Sequence, residues 1–168
     1  MAEKLNSYLD FAENDYQFFR ASYQNNIKGT ALAALGQSIC ERYLKHIIDS
    51  YSYPETREEE ILKETYLKTH SLRRLIKYIE EEMGYEIPNE TEFSLERIDG
   101  FYFQTRYPGE ESFIPTSKDV DKAYRAVKAA REYTLSIVRE NELEEELESE
   151  DEPESKDQPS YEDDELEL

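Results

Sequence analysis

The chain of 168 residues has one cysteine, Cys40, two histidines, His46 and His70, five glycines and no tryptophan. Each scarcity removes a class of protein. A lone cysteine cannot close an internal disulfide or build a cysteine zinc cage, so nothing argues for an oxidising compartment. Two histidines and one cysteine, at 40, 46 and 70, have no metal-ligand spacing, so neither a metal nor another cofactor is expected. The glycines do not form Gly-x-Gly-x-x-Gly or the Walker phosphate loop, and there is no His-Glu-x-x-His and no Gly-x-Ser-x-Gly. No apolar run approaches the ~18–20 residues of a membrane span. The first stretch, MAEKLNSYLDFAEND, carries acids where a signal peptide has an apolar core, so a cytoplasmic protein with no membrane partner is expected.

Positive charge is the next scarcity. Lys and Arg number 20 against 40 Asp and Glu, for a net of −20. The imbalance is local. Residues 140–168 hold 16 acids and one base, Lys156, leaving an ordinary −5 for residues 1–139. The chain therefore divides into a folded part, 1–139, and an acidic tail, 140–168. Glu and Leu extend the last helix into the tail. Dense like charge with Pro153 and Pro159 then predicts disorder. Such a tail repels nucleic acid at long range and attracts basic partners.

No useful strand alternation is present; helical periodicity is. Leu5, Tyr8, Leu9, Ala12, Tyr16, Phe19 and Tyr23 recur at gaps of three and four, and so do Leu32, Leu35, Ile39, Tyr43 and Ile47. Ala31, Ala33, Ala34 and Gly36 are small enough to let another helix come close. A shorter helix is expected near EEEILKETYLK. The next runs from a Thr69 or Ser71 cap to Gly84. FSLERIDGFYFQTRY reads as one helix, with Asn89 and Glu92 as a capping pair, Phe93, Leu95, Ile98, Tyr102 and Phe103 as its apolar positions, and Pro108-Gly109 as its stop. A last helix follows Thr116 and Asp119, with Val120, Ala123, Val127, Ala130, Thr134 and Ile137 inward. The expectation is an all-α, up-and-down four- or five-helix bundle with a disordered acidic C-terminal tail.

Three stretches carry a resemblance: ALGQSICERYLKHIID with Gln37, Glu41 and Lys45; LKTHSLRRLIKYI with its Thr-His-Ser-Leu start; and RIDGFYFQTRYPGEES before an Ala-rich final helix. In this order they resemble the HEPN domain over roughly residues 5–139. The aromatic-x-x-x-Arg-Tyr-Pro element is the most specific part. The resemblance implies a helical bundle, often a homodimer, that binds a nucleotide-like ligand or partners a minimal nucleotidyltransferase in a toxin–antitoxin or defence-type setting. Some such proteins are metal-independent ribonucleases with an arginine, four to six intervening residues, and a histidine. This sequence departs from that pattern: three residues separate Arg42 from His46, and twelve separate Arg57 from His70. The expectation is a binding module rather than a ribonuclease. A divergent ribonuclease using Arg106 and His70, or a scaffold acting through the tail, are the alternatives.

The candidate ligand-binding residues are Arg106, Tyr107, Tyr102, His70, Glu41 and Lys45. Arg106 offers a planar fork suited to phosphate or carboxylate. Equally it fits a salt bridge to Glu96 or Asp99 that pins the loop. Tyr102 and Tyr107 suit stacking on a base, or amphipathic positions at the edge of the core. His70 at a helix start reads as a ligand contact, a general base, or a structural cap. Glu41 and Lys45, four apart, form a helix-surface ion pair or part of a polar groove. Arg42 and His46 also share a face and read as a surface pair. Lys122, Arg125 and Arg131 suggest a basic groove on the last helix.

Overall fold

The structure, a computed structural model, describes residues 4–150. Seven helices and no strand are present among them: α1 Tyr8–Gln24, α2 Thr30–Tyr51, α3 Arg57–Leu67, α4 Leu72–Glu81, α5 Asn89–Glu96, α6 Phe101–Gln104 and α7 Ser117–Glu150. The expected all-α bundle is observed. The helix expected to run into the tail continues to Glu150. The disorder expected beyond it lies outside the described residues.

Local chemistry sets the helix starts. Ser7 and Asp10 form a reciprocal capping box on α1, and Thr56 and Glu59 do the same on α3. Each box satisfies amide donors that the first helical turn leaves free. Ser71, rather than Thr69, caps α4. At α7, Asp119 accepts from the Thr116 amide and hydroxyl, both at 2.9 Å. Gly84, with φ of 73°, follows the end of α4 as expected. The Asn89–Glu92 cap does not form: α5 starts after Pro88 with no side-chain cap.

The helix expected over FSLERIDGFYFQTRY is two helices. Gly100 adopts φ of 98° and turns the chain between α5 and α6, a conformation that only glycine enters at low cost. The break changes the apolar face. Leu95, Ile98 and Phe101 are buried, whereas Phe93 and Phe103 are exposed.

Helix α2 lies at the centre, packed against α1, α3, α4, α6 and α7. Glu13 meets Tyr43, Asp15 meets Arg42, and Phe19 approaches Gly36. Numbers rise on α1 as they fall on α2, so the two are antiparallel. Glu13 with Arg131 and Tyr23 with Asp121 give the same relation for α1 and α7. Gly36 marks the tightest crossing: a Cβ there would stand 2.9 Å from the Ala123 Cβ and 3.2 Å from the Phe19 ring. The small residues of α2 thus permit close helix approach, as their pattern predicted. The core runs from Ala12 to Ile137.

Two charge expectations are corrected. Arg42 and His46 are not a surface pair: Arg42 turns to Asp15, while His46 is buried beside Ser50 and Tyr51. Arg131 leaves the predicted basic groove, because its guanidinium forks onto the Glu13 carboxylate at 2.8 and 3.0 Å. Arg97 joins Lys122 and Arg125 on that face instead.

Candidate functional site around His70, Tyr102 and Arg106

Gln37, Glu41 and Lys45 are spaced four apart, so they form one stripe on α2. All three are buried, an unusual place for two charges. The Gln37 amide joins the surrounding elements. Its Nε2 donates to the His70 carbonyl at 2.8 Å and to Glu41 Oε1 at 3.4 Å. Its Oε1 accepts from the Tyr102 backbone amide at 2.8 Å. One side chain thereby ties α2 to the loop before α4 and to the start of α6.

Glu41 is the hub of the charged pair. Its Oε2 lies 3.1 Å from His70 Nδ1 and 3.6 Å from Lys45 Nζ. A carboxylate offers only lone pairs, so the histidine contact places a proton on Nδ1 and leaves Nε2 of the neutral ring as the acceptor. The His70 side chain is 51% exposed while that of Glu41 is 6% exposed. A buried carboxylate therefore orients an open imidazole.

Asp99 fixes the geometry from the other side. Its carboxylate accepts from the Ser71 hydroxyl at 3.0 Å and the Leu72 amide at 2.8 Å. An anion at a helix N-terminus is favoured by the free amides and the helix dipole. The contact staples the α5–α6 turn to the start of α4, one residue beyond His70. The alternative pairing expected for Arg106 is thereby removed: Asp99 is occupied here, and Glu96 meets Arg73 at 3.4 Å.

The exposed groups form a continuous aromatic run. His70 and Tyr102 are parallel, with centroids 5.6 Å apart and planes at 7°. The Arg106 guanidinium lies over the other ring, 4.9 Å from the Tyr102 centroid, in a cation–π contact. Phe103 packs edge-on to both His70 and Tyr102, and Tyr107 leans on Phe103. Among the described residues Arg106 has no carboxylate partner. Tyr102, Thr105 and Arg106 form one wall of an open cleft of about 630 Å³, and Ala31, Ala34, Leu35, Ser38 and Arg42 of α2 form the other.

Of the six residues predicted from sequence, His70, Tyr102, Arg106 and Glu41 come together directly. Lys45 belongs to the same cluster through Glu41, and Tyr107 stands outside the cleft wall. Sequence reasoning missed the roles of Gln37, Asp99 and Phe103. For Gln37 a signal existed, an amide four residues before Glu41 on an otherwise apolar helix face. For Asp99 and Phe103 none did, because their positions follow from the Gly100 break. Cys40 takes no part: it is buried, and burial pushes its thiol up, away from the reactive thiolate. No group of metal-binding side chains occurs among the described residues, and none of their helices is long and apolar enough to cross a membrane.

Residues 61–140 match the family model of the HEPN domain. The chain carries a HEPN domain. The match takes in His70, Tyr102, Arg106 and Tyr107, together with Asp99. Gln37, Glu41 and Lys45 precede it, although in the fold α2 packs into the same bundle and supplies the buried half of the site. No curated protein and no solved structure gives a significant match to the chain.

Proposed function

We propose that this HEPN-domain protein is a binding module for a nucleotide-like ligand, held in the cleft between α2 and α6. The observation that carries the reading is the Arg106 guanidinium, free of carboxylate and seated on Tyr102 at the cleft wall. A guanidinium fork suits a phosphate, and an exposed aromatic face suits a base. The small residues of α2 leave room for both. The module works with a nucleotidyltransferase-type partner and as a homodimer, in keeping with the family resemblance. Calorimetric titration with AMP, ADP and ATP tests the reading. Arg106→Ala is expected to weaken binding about tenfold, as loss of a charge-assisted contact does. Tyr102→Leu is expected to weaken it several-fold. No nucleotide binding at millimolar concentration in the wild type would end this reading. Co-purification with the product of the neighbouring gene tests the partner separately.

One observation favours a second reading, metal-independent RNA cleavage. The Glu41 carboxylate on His70 Nδ1 leaves an exposed Nε2 able to take a proton, with Arg106 one ring away. RNA cleavage lost in both His70→Ala and Arg106→Ala supports it; cleavage unchanged in both removes it.

A further inference from the structure

A second cavity, of about 370 Å³, opens where the end of α2 and the start of α3 meet the end of α4. Its first residue on α2, Tyr51, lies nine residues beyond Arg42 of the Arg106 cleft, roughly 14 Å at the helical rise, and the two share no residue. Four tyrosines line it: Tyr51, Tyr53, Tyr78 and Tyr85. Tyr78 is buried, with its hydroxyl 2.8 Å from Ser52 Oγ, whereas Tyr53 is 77% exposed at the rim. Tyr85 is held from the α7 side, where its hydroxyl accepts from Asn141 Nδ2 at 3.4 Å.

The charged groups of this cavity are of one sign. Glu55, Glu59 and Glu82 stand among its lining residues with Ser52, Leu62 and Met83, and the lining contains no basic side chain. Glu59 is engaged by the amides of Glu55 and Thr56, which hold its carboxyl below the usual carboxylate range. It is therefore a fixed anion. Lys63 of α3 donates to the Asp49 and Ser52 carbonyls at 2.9 and 2.8 Å and is thereby committed to the main chain. Glu142 and Glu145 of α7 add to the negative field at Tyr51. Aromatic faces attract cations through their quadrupole, and carboxylates and phenol oxygens accept hydrogen bonds.

We propose that this tyrosine-walled cavity binds an organic ammonium, specifically a primary alkylammonium group of a linear polyamine. The aromatic walls select a cation and take the alkyl stem. The carboxylates and phenol oxygens are acceptors for the three N–H donors of a primary ammonium. A quaternary ammonium has no such donors and gains only the aromatic part. The volume falls within the ordinary range of small-molecule sites, ~300–1,000 Å³.

Titration calorimetry of the full chain with spermidine at about 0.15 M salt, where the Debye length is ~8 Å and diffuse attraction is screened, tests the proposal. Wild type is expected to bind spermidine, and tetramethylammonium at least several-fold more weakly. Glu55→Gln with Glu82→Gln, a shape-conserving pair, is expected to lower spermidine affinity about tenfold. Tyr53→Leu is expected to lower it roughly fivefold, within the range of a cation–π contact. The control is Glu110→Gln with Glu111→Gln, an exposed pair outside the lining that removes the same charge, and it is expected to change affinity less than about twofold. Thermal melts of each variant verify folding. Absence of binding in the wild type overturns the proposal. So does an equal loss in the control pair, which would reduce the effect to bulk counter-ion attraction. An unchanged affinity in Tyr53→Leu, or tetramethylammonium binding as tightly as spermidine, overturns the assignment of the ligand class.

Discussion

At the scale of single residues, the two histidines show how burial decides role. His70 and His46 both sit within hydrogen-bond reach of an acceptor, but only His70 opens to solvent. Burial lowers the pKa of His46, against the opposing pull of Asp49 and Asp10. The unfolded chain therefore binds a proton at His46 more readily than the folded chain does. Its contribution to stability is full above the unfolded value of about 6.5 and is lost as pH falls toward the depressed folded value. The melting temperature is expected to decline on acidification from about pH 7.5 to 5.5, and to decline less in His46→Gln. Equal slopes in the two proteins would exclude His46 as the cause. Carboxylates act in a separate window. Hydrogen bonds hold Asp119 and Asp121 below the usual range, and Glu13 is lowered although burial opposes it, because Arg131 and Tyr43 bond its carboxylate. Their contributions are present above about pH 4 and fade below it. Glu41 and Lys45 show a different economy. A buried ion pair is weak evidence for stability, and removal of one partner leaves the other unpaired. The stripe is therefore better explained by what it orients, the His70 ring and the Tyr102 amide, than by the energy of the pair.

At the scale of elements, the decisive contacts are those between helices. The Gly36 crossing brings α2 against α1 and α7 at a separation no side chain would permit. Gly36→Ala gains helix propensity of roughly 1 kcal/mol but sets a methyl 2.9 Å from the Ala123 Cβ. Overpacking costs ~1–3 kcal/mol, so the net expectation is destabilisation by about 1 kcal/mol, read by urea denaturation. A more stable variant would show that the crossing relaxes freely. The same helix-level logic explains the site. The Asp99 staple on α4 and the Gly100 turn place α6 beside His70, and Gln37 locks both to α2. The three anchors come from three elements, so the cleft geometry is a property of the bundle rather than of any one loop.

At the scale of the whole molecule, charge and core are separated along the chain. The buried apolar residues lie between Ala12 and Ile137, while residues 140–168 carry −15 of the net −20. The exposed Leu143 and Leu147 show that the end of α7 runs beyond the bundle. A chain ending at Glu150 is expected to melt within about 2 °C of the full chain at moderate salt, and slightly higher at low salt, where self-repulsion is relieved. A fall of more than about 5 °C would mean that residues 151–168 support the fold. The same truncation separates an interaction borne by residues 151–168 from one at the Arg106 cleft, since a nucleotide titration should not change on their removal.

The amino-acid sequence by itself determined what depends on neighbours within a few turns. Apolar spacing specified α1, α2, α4 and α7, small residues announced the Gly36 crossing, and the aromatic-x-x-x-Arg-Tyr-Pro element marked the loop that carries Arg106. It also nominated Glu41, Lys45, His70 and Tyr102. The tertiary structure alone decided how these meet. Gly100 looked like a tolerable helix residue, because periodicity continues across it; in the fold it takes a positive φ and turns the chain, while Asp99 beside it bonds the α4 N-terminus. Arg106 looked equally suited to Glu96 and Asp99, because both are near in sequence; distant partners, Arg73 and the Ser71–Leu72 turn, take them. Local pattern encodes which face of a helix is buried. It does not encode which distant group will satisfy a given charge, and that choice leaves the Arg106 guanidinium on Tyr102, facing the cleft.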